Sequence, residues 1–159
     1  MKNYKNYLKS GLIAIFALTL SVLGSANAEE LVPYKSRGVA SLFALPVPDA
    51  VVSGIDFGNA THLGKYHSTL DLLVSAGSNG IRFVGPTTIF CANGDEVQSV
   101  LDVELDLATN TITGTYTVVG GTGRWDGAGG GGVLTGAVNA DGTFSYTTNG
   151  SISRPKRRK

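Results

Sequence analysis

Residues 97–107, VQSVLDVELDL, alternate between apolar and charged side chains. Val97, Leu101, Val103, Leu105 and Leu107 fall on one face, and Asp102, Glu104 and Asp106 on the other. A strand with one buried and one wetted face makes that pattern. The same period recurs along the chain. Residues 66–74 place Tyr66, Leu70, Leu72 and Val74 on one side. Residues 111–119 turn Ile112, Tyr116 and Val118 inward and a row of threonines outward, and residues 143–152 do the same with Phe144, Tyr146 and Ile152. Shorter strand candidates lie near 37–44, 80–84, 86–92 and 132–139, which predicts eight strands. Asn93-Gly94 and Asp141-Gly142 are hairpin turn signals, and Ser78-Asn79-Gly80 and Ala108-Thr109-Asn110 mark two more turns. Pro46 and Pro48 break any strand in LPVPDAV and mark a loop. Short strands with short connections predict an all-β antiparallel barrel or sandwich.

The helical period is absent outside the first 28 residues. There Lys2, Lys5 and Lys9 precede the apolar run Gly11–Gly24, and Ser25-Ala26-Asn27-Ala28 ends in small residues. That arrangement predicts a signal peptide cleaved after Ala28 and a secreted or periplasmic product. The run is shorter than the about 20 residues a membrane-spanning helix needs. The remainder reads as one domain, 29–153, with a basic tail, 154–159. Cys91 is the single cysteine, so no internal disulfide is available, and TIFCANGD offers it no local base; it reads as a small buried residue. Residues 29–153 hold 5 Lys/Arg against 12 Asp/Glu. A surface that acidic does not suit nucleic acid. The tail RPKRRK suits either a solvated terminus or weak contact with an anionic surface.

The stretch GGTGRWDGAGGGG, 120–132, holds eight glycines around Trp125. A phosphate-binding loop would lead into a helix, whereas GVLTGAV is strand-like. A calcium-binding nonapeptide would need an aspartate where Trp125 stands, and it would repeat. A flexible linker would waste the tryptophan. A constrained strand-to-strand connection remains, in which Gly120, Gly121 and Gly123 let the backbone pass close to its neighbours. Trp125 then folds inward to plug one end of a barrel, its N–H meeting Asp126 or a loop carbonyl.

YTVVGGTGRWDGAGG, 116–130, resembles the glycine-rich signature of the allene oxide cyclase barrel-like group and of plant dirigent proteins. NATHLGKY, 59–66, and CANGDE, 91–96, are similar to segments of the secreted bacterial members of that group. The resemblance implies a calycin-like, eight-stranded antiparallel β-barrel with a central cavity. Its relatives include cyclases of reactive lipid or polyketide intermediates and proteins that steer radical coupling. Dirigent-type sequences carry an arginine soon after the aromatic, where this chain has Gly129, and none of their active-site residues is carried across.

No catalytic constellation stands out. His62 opens a strand in THLG and suits a hydrogen bond to a turn, and His67 faces outward. Metal binding needs three or four converging ligands, and nothing is spaced for that; no cofactor motif is present. A serine nucleophile would need an elbow such as G-x-S-x-G, which is missing. Asp102, Glu104 and Asp106 read as a solvated outer face. The inward polar tips are Tyr66, Ser68, Ser99, Tyr116 and Tyr146, candidates for orienting a ligand, and no inward acid or base is evident. His62, Gly120, Gly121, Gly123 and Trp125 read as structural. Three classes follow: a barrel binding a small apolar ligand, a cyclase or isomerase shaping an intermediate, and a solid structural barrel. Cavity volume separates them, since ligand sites start at roughly 300 Å³.

Overall fold

The computed structural model describes residues 30–153. The expected signal peptide, 1–28, and basic tail, 154–159, lie outside the described residues. The strands are β1 (Leu31–Leu42), β2 (Val51–Ala60), β3 (Gly64–Ala76), β4 (Gly80–Cys91), β5 (Glu96–Asp106), β6 (Thr111–Gly121), β7 (Gly130–Val138) and β8 (Phe144–Ser153). Each pairs antiparallel with the next, and β8 pairs with β1, closing the barrel. Closure leaves no unpaired sheet edge.

The expected count of eight is right, but two of its strands differ. Residues 80–84 and 86–92 are one strand, β4, which runs through Gly85 and Pro86. Pro86 faces outward and stays in register with Val100, while the β3–β4 ladder skips Asp71 and Leu72 opposite it. A proline with no N–H thus costs ladder bonds on one side without ending the strand. The strand missing from the sequence reading is β2. Its outer face carries Val51, Ile55 and Phe57, and its inner face Val52, Gly54, Asp56, Gly58 and Ala60. The usual polarity is inverted, and two glycines blank out the inner row. Those glycines make room for β3: a Cβ at Gly54 would lie 2.6 Å from Leu70, and one at Gly58 2.5 Å from the Tyr66 ring.

The inward rows expected for β3, β5, β6 and β8 are found, except that Leu107 lies in the β5–β6 turn and is exposed. The buried apolar side chains form two clusters, one toward each end. The upper one, below the turns at 43–50, 77–79, 107–110 and 139–143, includes Leu72, Val74, Phe83, Leu105 and Leu134. The lower one includes Tyr34, Tyr66, Cys91, Tyr116, Ile152 and Trp125.

Trp125 is 2% exposed and closes the lower end. The connection around it has defined geometry. Gly123–Trp125 forms a single 3-10 turn, and Gly130–Gly132 already belong to β7, paired with β6 and β8. The CANGDE turn clamps it. Asp95 accepts from the Asn93 side chain at 2.6 Å and from the Arg124 backbone N–H at 3.3 Å. Gly123 has φ +57, and a Cβ there would lie 2.1 Å from the Asp95 carboxylate, so only glycine fits. Gly121 passes equally close to the chain, with a would-be Cβ 2.7 Å from that of Trp125, whereas a Cβ at Gly120 would meet only the Gln98 side chain, at an ordinary 3.6 Å. Trp125 packs with Cys91 in the lower cluster, and burial pushes the Cys91 thiol up. His62 sits in the β2–β3 turn rather than in a strand, with φ +69, and its Nε2 lies 3.1 Å from the Pro33 carbonyl oxygen.

Candidate functional site

Between the two apolar clusters lies a belt of polar side chains, built from cross-strand partners on the inner face. Asp56 of β2 stands opposite Ser68 of β3, Thr87 of β4 opposite Ser99 of β5, and Ser36 of β1 opposite Thr148 of β8. Each pair is hydrogen-bonded. The Ser68 hydroxyl donates to Asp56, the Thr87 and Ser99 hydroxyls lie 2.5 Å apart, and those of Ser36 and Thr148 lie 2.7 Å apart. Opposed positions on one face put side chains within direct reach, so the register alone creates these contacts.

Tyrosines connect the pairs across the barrel. Tyr146 on β8 lies over Gly38 of β1, where a Cβ would come 2.7 Å from its hydroxyl. That gap lets the phenol cross β1 and donate to Asp56 at 2.9 Å. The Tyr66 hydroxyl lies 2.7 Å from that of Tyr146. Since Tyr146 gives its proton to Asp56, Tyr66 donates to Tyr146. A chain of hydroxyls therefore ends on one carboxyl group.

Asp56 is 6% exposed. Burial pushes its carboxyl above the usual carboxylate range, and the hydrogen bonds from Ser68 and Tyr146 oppose that only in part. Burial and the nearby Asp56 likewise raise the Tyr66 and Tyr146 phenols. Tyr116 differs. Burial raises it to about 12, and its hydroxyl has no hydrogen-bond partner. Its ring lies 5.7 Å from that of Tyr34 and reaches toward Gly150, where a Cβ would come 2.7 Å from the hydroxyl.

These groups line a cavity of about 100 Å³ inside the barrel. The walls above and below the belt are apolar, with Leu70, Leu72, Phe83, Leu101 and Leu134 among them. A liquid water molecule occupies about 30 Å³, so the space admits a few waters or a compact molecule, below the roughly 300 Å³ of a drug-sized site.

All five inward polar residues read from the sequence line this cavity, but they do not act together. Tyr66, Ser68 and Tyr146 share one network, Ser99 pairs with Thr87, and Tyr116 stands apart. The sequence reading missed Asp56, the group on which the network converges, together with Tyr34, Ser36, Thr87 and Thr148. Asp56 was hidden because its strand shows no inward apolar row. The available signal was the spacing Gly54-x-Asp56-x-Gly58 on one face, across a tight turn from the alternating 66–74 segment. His62, Gly120, Gly121, Gly123 and Trp125 lie at the lower end, in or beside its turns. Among the described residues no three His, Cys, Asp or Glu side chains converge. Comparison with models of known protein families gives no match, and comparison with curated proteins gives none.

Proposed function

We propose that this chain is an exported β-barrel that binds a compact, mostly apolar small molecule carrying one polar group. The observation that carries this reading is the network of Tyr66, Tyr146 and Ser68 that converges on Asp56 in a cavity whose walls are largely apolar. Apolar walls supply affinity, and a few fixed polar atoms supply orientation. The cavity volume of about 100 Å³, below the roughly 300 Å³ of a drug-sized site, restricts the ligand to a compact molecule and argues against a long acyl chain. The signal-peptide pattern in residues 1–28 supports export, and the likeness of residues 116–130 to the allene oxide cyclase barrel-like group fits a cavity-bearing barrel.

Asp56 favours a second reading, acid–base catalysis as an isomerase or cyclase. An inward carboxyl held above its ordinary range is the form such chemistry uses. Ligand-observed NMR with C4 to C6 amines, alcohols, ketones and acids tests the first reading. Saturable binding that shifts cavity resonances is the expected result, and its absence across all four classes refutes it. Catalysis is supported if Asp56→Asn retains a ligand's binding but loses its conversion.

A further inference from the structure

We propose that the molecule held in the barrel is a small aliphatic ammonium compound, its charged nitrogen paired with the Asp56 carboxylate among the rings of Tyr34, Tyr66, Tyr116 and Tyr146. This rests on the reading of the cavity as a binding site and names the ligand class.

The charge inventory of the cavity is one-sided. Asp56 is the one carboxylate among the described lining residues, and no lysine, arginine or histidine lines the cavity with it. The hydroxyls of Ser68 and Tyr146 donate to Asp56, but neutral donors leave its charge uncompensated. A buried ion without a counter-ion is costly, and a bound cation removes that cost. Donation from Ser68 and Tyr146 occupies one lone pair on each Asp56 oxygen; a carboxylate offers about four such sites, so acceptor capacity remains.

The surroundings of the carboxylate match the same ligand. Four phenol rings line the space, and aromatic faces attract ammonium groups. The volume of about 100 Å³ suits a branched group of a few carbons. The barrel body, with 5 Lys/Arg against 12 Asp/Glu in residues 29–153, draws cations toward it. An organic carboxylate would meet Asp56 as a like charge.

Titration of the purified protein with isobutylamine, isobutanol and isobutyrate, followed by NMR shifts of the cavity tyrosines, tests this. The amine should bind at least about tenfold more tightly than the alcohol, and the carboxylate not measurably. Asp56→Asn should abolish the preference of the site for the amine over the alcohol. A measurement on the unaltered protein gives an independent check. Asp56 is faced by Ser68 and Tyr66 from β3, Tyr146 from β8 and Tyr34 from β1, with the outward His67 acting weakly through charge. None of these phenols ionises below neutrality, so amine affinity should fall as pH drops through the Asp56 range while alcohol affinity stays flat. An alcohol that binds as tightly as the amine, or an amine affinity indifferent to Asp56→Asn and to pH, overturns the ammonium assignment and leaves the binding site standing. Failure of all three compounds to bind overturns both.

Discussion

Asp56 and Tyr116 are the two side chains whose burial demands an explanation, and they make opposite predictions. Asp56 has a raised carboxyl pKa in the folded barrel. Such a group favours the folded state at pH below the ordinary carboxylate range, and that contribution is lost as pH rises through the raised value. The exposed Asp102 and Asp141 are lowered and act in the other direction. The difference between proteins therefore isolates Asp56. In urea unfolding, Asp56→Asn should gain stability relative to the parent as pH rises from the ordinary carboxylate range toward neutrality. A difference that does not change with pH would mean that Asp56 titrates normally. Tyr116 carries a buried hydroxyl without a partner, so Tyr116→Phe should be neutral or stabilising by up to about 1–2 kcal/mol. Tyr146→Phe removes a donor from Asp56 and an acceptor from Tyr66, and should cost about 1.5–3 kcal/mol. Equal losses in the two variants would show that packing, not hydrogen bonding, governs both sites.

At the scale of the strand, the site depends on glycines placed against tyrosines. Gly58 stands opposite Tyr66, Gly38 opposite Tyr146, and Gly150 beneath the Tyr116 hydroxyl. Each missing side chain leaves a notch in the wall that a phenol fills. Gly58→Ala would put a Cβ 2.5 Å from the Tyr66 ring and 2.7 Å from the Arg37 carbonyl oxygen. Neither neighbour yields easily, since one belongs to the backbone and the other is tied into the network. We expect a loss of about 1–3 kcal/mol, as for other overpacked interiors, together with displacement of Tyr66 from Tyr146. The stability loss is read from urea unfolding and the displacement from the ring resonances of both tyrosines. Unchanged stability would mean that the notch is looser than its geometry. The same glycines explain what was legible at this scale. Where the inner row is apolar, as in β3, β5 and β6, period two reads directly from the residues. In β2 the inner row is Val52, Gly54, Asp56, Gly58 and Ala60, and no hydrophobic period survives. In β4 Pro86 imitates a strand end, because its cost to one ladder cannot be seen without the neighbouring strands.

For the whole molecule, the proposed export and the closure of the barrel carry the remaining expectations. Intact-mass measurement of the protein recovered outside the cytoplasm should give a chain starting at Glu29; retention of residues 1–28 would refute the signal peptide. The residues by themselves determined the all-β class, most of the strands, the turns at Gly94 and Gly142, and an inward Trp125, because alternation and turn chemistry are local properties. Only the tertiary structure decided that the sheet closes, and closure decides the site. Asp56 and Tyr146 are 90 residues apart in sequence, and Tyr66 and Tyr146 are 80 apart. They meet because β8 pairs with β1 and Gly38 leaves a gap in the strand between them. An alternating pattern states which side chains face inward. Which of them touch across the interior follows from register and closure, and those depend on every strand at once.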